Sequence, residues 1–139
     1  MTVLPATILF LLFFLFIFGI IENHNKNSKE NSESSNILIK ERLHYPKYTN
    51  EELQKDNKYI VIKKIIQEYL REQNIIKLQK IQPNTKLGDD LDFDCIDFME
   101  ITERIEDKLH VKYPDMKIFA GCAEIIDLWG LPEPISTAS

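Results

Sequence analysis

The side chains most capable of chemistry in this sequence are a cysteine thiol and the carboxylates around it. Cys95 lies between Asp94 and Asp97 in an aspartate-rich stretch, residues 85–101. Asp94 is a favourable N-cap, so the pattern predicts a helix that begins at Cys95. A helix N-terminus favours the reactive thiolate, whereas the neighbouring carboxylates oppose a second negative charge. We therefore expect the thiol to have ordinary reactivity at best. Two roles remain open: the thiol is acylated or redox-active, or it is chemically idle.

The segment from Asp89 to Asp107 carries most of the acidity of the chain. It holds nine acidic side chains and one base, Arg104, and so has a net charge of −8 in a chain whose net charge is −5. Scattered charges usually form a solvated helix face. Like charges at helical spacing lower helix stability, so this one-sided run favours a docking surface for basic-surfaced partner proteins.

These carboxylates could also form a metal-binding site. Asp90, Asp92 and Asp94 are spaced like the first ligands of an EF-hand loop. The sixth and twelfth positions, however, hold Cys95 and Ile101 where that loop requires glycine and glutamate. Starting one residue earlier places apolar side chains at two ligand positions. The two cysteines and three histidines also lack metal-ligand spacing, so we predict no metal.

The N-terminus predicts a single transmembrane helix. Residues 3–21 carry no charge, and a helix of that length spans about 28 Å, close to the thickness of a bilayer's hydrocarbon core. The alternative is a cleaved signal peptide, but no basic residue precedes the run and no small-residue cleavage site follows it. Lysine and arginine residues follow the run. The positive-inside rule then places a single-pass protein with its soluble domain on the cytoplasmic side.

The chain divides into four predicted segments. Residues 1–21 are the membrane anchor, and residues 22–57 are a polar tether and linker, of which residues 22–36 lack apolar side chains and should be disordered. Thr49 and Glu52 form a capping-box pattern that predicts a short helix over 50–55, with plain linker as the alternative. Residues 58–131 form the folded domain, and residues 132–139 are a C-terminal tail.

The folded domain is predicted to be all-α, an antiparallel bundle of three main helices plus one short helix. Apolar residues recur at helical spacing in the first helix, from about Lys58: Ile62, Ile65, Ile66, Tyr69 and Leu70. The second helix has a predicted apolar side of Ile96, Met99, Ile101, Ile105 and Leu109. A short turn over 115–119 precedes a last helix over 122–129, whose inward residues are Ile125, Ile126, Leu128 and Trp129. Ile81 and Leu87 anchor the long connection, and Cys122 is a packing residue.

Residues 85–101 resemble the loop and second helix of an acyl carrier protein. Ten positions fall in register with that pattern: Thr85, Leu87, Asp90, Leu91, Asp94, Ile96, Asp97, Met99, Glu100 and Ile101. In that family a serine at the start of the second helix accepts phosphopantetheine, and Cys95 occupies the equivalent position here. The family usually has glycine where this chain has Asp92, and a small residue where it has Phe93.

The resemblance implies a membrane-tethered acyl-carrier-like protein, not an enzyme, that presents an acidic helix to partner enzymes of acyl or lipid metabolism. Its cofactor would be 4′-phosphopantetheine if Cys95 is modified, and there would be none otherwise. The implied partner-docking residues are Asp94, Asp97, Glu100, Glu103 and Glu106. The alternative is a non-carrier protein-interaction module with the carrier fold and no arm. We expect a monomeric domain, and the net acidity of the chain argues against nucleic acid.

Overall fold

The computed structural model describes residues 5–73 and 80–135. The chain divides into two compact units, Met1–Glu33 and Ser34–Ser139. The described helices are α1 (Ala6–Arg42), α2 (Asn50–Lys55), α3 (Asn57–Glu72), α4 (Cys95–Leu109), a 3-10 helix (Met116–Phe119) and α5 (Ile125–Gly130). Two short strands, β1 (Val111–Lys112) and β2 (Glu133–Pro134), pair antiparallel. The chain is thus mainly helical, as predicted.

The first helix is longer than the sequence predicts. The prediction of a disordered tether over residues 22–36 is wrong, because α1 continues through this segment to Arg42. No glycine or proline interrupts the chain between Gly19 and Pro46. Extending an existing helix needs no new nucleation, so a polar segment can continue a helix that an apolar segment has begun.

The N-terminal part of α1 exposes its apolar side chains. The residues from Ile8 to Phe18 are 39–72% exposed. Within residues 5–73 and 80–135, no helix combines the length and the hydropathy that crossing a membrane requires. The predicted N-terminal transmembrane helix is therefore not supported by the structure.

The second unit includes residues from the predicted linker in its core. Leu38 at the end of α1 and Leu53 in α2 are each 1% exposed. The predicted capping box is confirmed, because Thr49 Oγ1 accepts from the Glu52 N–H and Glu52 Oε2 accepts from the Thr49 N–H. The packed unit therefore begins ahead of Lys58, where the sequence pattern first becomes clearly amphipathic.

Helices α3 and α4 form the centre of the bundle. Ile62, Ile66, Tyr69 and Leu70 are buried as predicted, and Ile65 is partly buried. Tyr69 near the end of α3 contacts Asp97 in the first turn of α4 and Phe93 in the loop just before it. At the opposite end, Val61 of α3 and Lys108 of α4 line one recess. The two helices are therefore antiparallel.

The apolar side predicted for α4 is only partly correct. Ile101 and Ile105 are buried, but Ile96 is 72% exposed and Met99 is 49% exposed. Phe98, which the prediction omits, is 2% exposed. At about 100° per residue, positions 98, 101 and 105 share one face of a helix. Packing of Phe98 on the core therefore turns Ile96 and Met99 outward.

The C-terminal elements differ in detail from the prediction. The last helix begins at Ile125 rather than at residue 122, but all four of its predicted inward side chains are buried. His110 ends α4 in the left-handed conformation (φ 53°). β1 and β2 then pair Val111 with Pro134, so part of the predicted tail joins the fold. Two-residue strands are too short to show an alternating pattern.

Candidate functional site

The loop ahead of α4 is fixed by backbone hydrogen bonds and buried apolar side chains. The Leu87 N–H donates to the Ala123 carbonyl at 2.9 Å, and the Phe93 N–H donates to the Leu87 carbonyl at 3.0 Å. Leu87, Leu91 and Phe93 are 1–6% exposed. A Cβ on Gly88 would lie 2.9 Å from the Ala120 carbonyl oxygen, so only glycine permits this close approach. The loop therefore presents the start of α4 in a defined position.

The N-terminus of α4 is closed by two aspartates. Asp94 Oδ1 accepts from the Ile96 and Asp97 N–H groups at 2.9 and 3.0 Å. Asp97 Oδ2 in turn accepts from the Asp94 N–H at 2.9 Å. The backbone donors favour the carboxylate and lower the pKa of Asp94. The predicted N-cap is confirmed, and Cys95 follows it as the first helical residue, exposed and with a free thiol.

Comparison with protein-family models adds the decisive observation. Residues 61–129 match the model described as the phosphopantetheine attachment site. Residues 61–129 of this chain belong to that family. The matched segment, here called the carrier domain, holds all of α4 and most of α3 and α5. The comparisons with curated proteins and with solved structures found no significant match.

Asp92 shows how the carrier domain accommodates one departure from the acyl-carrier pattern. This residue stands where the pattern usually has glycine, and its φ of 55° lies in the left-handed region. Glycine enters that region without a steric penalty, and aspartate is among the few other residues that visit it. The backbone therefore keeps the glycine-like turn while adding an exposed carboxylate three residues before Cys95.

The position of Cys95 fits a covalently attached arm, whereas its reacting atom differs from that of the family. The side chain is exposed at the first position of a capped helix, where an attached group can extend into solvent. Sulfur replaces the hydroxyl oxygen that a phosphopantetheine acceptor normally supplies. The exposed position thus leaves space for an attached group, while the nucleophile differs from the hydroxyl that the family uses.

Tyr69 and Arg104 connect α4 to α3. The buried Tyr69 hydroxyl donates to Asp97 Oδ1. Burial and the neighbouring carboxylate raise the pKa of Tyr69, so its hydroxyl stays protonated and donating. The Arg104 guanidinium lies 5.2 Å from the centre of the Tyr69 ring and pairs with Glu72 and Glu100 at 2.8 and 2.6 Å. The Tyr69–Asp97 contact positions the Cys95 end of α4, and the Arg104–Glu72 ion pair joins a later turn of α4 to the end of α3.

The predicted docking residues divide into two groups. Three of them, Asp97, Glu100 and Glu106, are partly buried and make contacts inside the fold. Glu106, for example, accepts a hydrogen bond from the Tyr113 N–H at 2.9 Å, and its carboxylate lies 3.6 Å from Lys112 Nζ. Asp94 is exposed but caps α4, and Glu103 is exposed. The carboxylates most available to a partner are therefore fewer than the charge count indicates.

The exposed apolar pair Ile96 and Met99 is the feature of this surface that the sequence interpretation missed. Both side chains lie in the first turns of α4, next to Cys95, and face solvent. Phe98 could have revealed this pair in the sequence. If Phe98 is assigned to the core, helical geometry places Ile96 and Met99 on the outer face of α4. The surface beside the thiol is therefore apolar with an acidic margin.

Two of the aspartates with EF-hand-like spacing make hydrogen bonds to the local backbone. Within the described part of the chain, no three His, Cys, Asp or Glu side chains are grouped so that they could hold a metal ion. Asp90 accepts from the Lys86 N–H at 2.8 Å, and Asp94 caps α4. Two of the three aspartates in the EF-hand-like spacing thus serve the local backbone.

Proposed function

We propose that this protein is a membrane-tethered acyl-carrier-like protein that presents the start of α4 to partner enzymes of acyl or lipid metabolism. One observation carries the proposal: an exposed Cys95 begins a capped helix within a segment of the phosphopantetheine attachment site family. The protein would act as a carrier and not as a catalyst. Bound 4′-phosphopantetheine would supply a terminal thiol that holds acyl groups as thioesters.

Attachment would use the Cys95 sulfur as nucleophile. An S–P bond would form as the P–O bond within the coenzyme A pyrophosphate breaks, and adenosine 3′,5′-bisphosphate would leave. The thiol proton would pass to a base of the transferase. In this chain the loop from Leu87 to Phe93 and the Asp94 cap would hold the acceptor in place.

Intact mass of protein from its native host tests this proposal. We expect a gain of about 340 Da, the mass of the phosphopantetheine group, on the peptide that contains Cys95. A Cys95→Ser variant is the matched control for surface recognition, because it restores the usual hydroxyl acceptor. Unmodified Cys95 in all of the material, with a modified Cys95→Ser variant, would refute the carrier role of the natural chain.

The second candidate function is a protein-interaction module without an arm. The observation that favours it is the thiol in place of the hydroxyl, together with the exposed apolar pair Ile96 and Met99. This candidate requires a stable partner whose binding does not depend on Cys95. Loss of partner binding in a Cys95→Ala variant would contradict it.

Either function would use the surface of α4 to dock basic-surfaced partners, with Ile96 and Met99 at its centre and Glu103 at its margin. We expect Glu103→Lys to weaken capture of the native partner about tenfold, because like charges would then meet across the interface. Glu68→Lys, an exposed site on α3 with the same change of charge, is the control. Equal binding by both variants would contradict docking at α4.

The tether of the proposed protein would be the apolar segment over residues 3–21. Its support is the exposed Ile, Leu and Phe side chains from Ile8 to Phe18, which water solvates poorly. Deleting residues 1–21 is expected to move the protein from the membrane fraction to the soluble fraction. The domain would face the cytoplasm, where an added protease should cleave it only after cells are opened. A deletion variant that stays on membranes would contradict the tether.

A further inference from the structure

A recess with a volume of about 480 Å³ lies between α2, α3 and the segment over 80–82. Among the described residues, the lining includes Lys55, Lys63 and Lys80 and one acidic residue, Glu51. None of these three lysines forms an ion pair with any residue of the described chain. The recess therefore concentrates positive charge in a protein whose net charge is −5.

Neutral hydrogen-bonding groups complete the lining. Asn50, Gln54 and Gln82 place side-chain amides around the recess, and each amide supplies N–H donors. Ile81, which is 2% exposed, also lines the recess. The three ammonium groups and the amide N–H groups form a set of donors whose positive charge exceeds the single negative charge of Glu51. Such a set is complementary to an anion with several acceptor oxygens.

The recess is separate from the surface around Cys95. Tyr69 of α3 contacts the start of α4 through Asp97. Lys63 lies six residues earlier on α3, which is about 9 Å along the helix axis at 1.5 Å per residue. Lys55 lies earlier still, in α2. A ligand in the recess would therefore leave Cys95 and the exposed face of α4 accessible.

We propose that this recess binds a small molecule bearing a phosphate or pyrophosphate group. Lysine ammonium groups bind phosphate as compact positive charges, and the volume lies within the range of about 300 to 1,000 Å³ that is usual for small-molecule sites. The phosphate oxygens contact Lys55, Lys63 and Lys80, and the amides orient the rest of the ligand. The phosphate belongs either to a soluble ester or to the headgroup of an anionic lipid.

Calorimetric titration of the full-length chain in a non-ionic detergent tests the site with three probes. These are inorganic pyrophosphate, dihexanoyl phosphatidic acid and dihexanoyl phosphatidylcholine, whose headgroup has no net charge. We expect saturable binding of at least one of the first two and none of the third. Binding should weaken with added salt, because partly exposed charges are screened. Tighter binding of phosphatidic acid than of pyrophosphate would identify a lipid headgroup as the source.

The decisive variant replaces all three lysines of the recess, as Lys55→Gln, Lys63→Gln and Lys80→Gln. We expect it to weaken binding at least about tenfold, equivalent to the loss of one charge-assisted contact. The matched control is Lys40→Gln, Lys64→Gln and Lys117→Gln, which changes net charge equally at exposed sites elsewhere. Absence of saturable binding to both anionic probes, or equal losses in the two triple variants, would overturn the proposal.

Discussion

Replacing Arg42 with methionine is expected to lower the free energy of unfolding by about 3–5 kcal/mol. Asp127 of α5 is fully buried, and its carboxylate accepts from Arg42 Nε and Nη2 at 2.8 and 2.7 Å. The Tyr45 hydroxyl and the Glu124 N–H complete its shell at 2.9 and 2.7 Å. Without Arg42 the carboxylate stays buried with no positive partner, and that uncompensated charge is what destabilises the variant.

The matched control for this prediction is Arg71→Met. Arg71 is exposed on α3 and takes part in no ion pair among the described residues. Substituting it should change the free energy of unfolding by less than about 1 kcal/mol. Denaturant unfolding followed by circular dichroism measures both variants. If Arg42→Met were as stable as Arg71→Met, Asp127 would not depend on Arg42.

A chain cut to residues 58–139 is expected to lose cooperative unfolding. The cut keeps the whole family match, residues 61–129, but removes Leu38, Leu53 and Arg42. Loss of one large buried aliphatic side chain costs about 2–5 kcal/mol. A small domain has only about 5–15 kcal/mol in total, so two such losses and the broken ion pair should leave it largely unfolded.

A chain of residues 34–139 is the companion to this truncation. It retains the end of α1, α2 and the Arg42–Asp127 contact, which lie in the second compact unit. We expect it to unfold in a single transition by heating or denaturant, whereas the shorter chain should show a broad, non-cooperative change. A sharp transition in the 58–139 chain would mean that the upstream residues are dispensable.

The sequence predicts helix starts well where a side chain hydrogen-bonds to the backbone a few residues away. The Thr49 capping box and the Asp94 N-cap each set a helix start at the predicted residue. Four of the five buried residues of α3 follow from the predicted periodicity, and the prediction omits only Tyr59, in the first turn. These features depend on residues three or four apart, so the local pattern contains all the information that they need.

The parts that the sequence does not predict depend on distant partners. Arg42 and Asp127 are 85 residues apart, and neither position signals the other. The choice between Phe98 and Met99 as the buried residue of α4 is decided by the surface against which the helix packs, because both side chains are apolar. The polar stretch over 22–36 has no core to indicate its helix, which continues from the apolar segment before it.

The capped N-terminus of α4 also bears on whether a group attached to Cys95 would change the stability of the fold. Asp94 already accepts from the N–H groups of Ile96 and Asp97, Asp97 accepts from the N–H of Asp94, and Tyr69 holds Asp97 in place. A group bonded to Cys95 therefore inherits a finished helix start and contributes none of the bonds that form it. In the proposed carrier function, loading at that sulfur would neither make nor break the hydrogen bonds that cap α4, so we expect the chain to fold with or without an attached group.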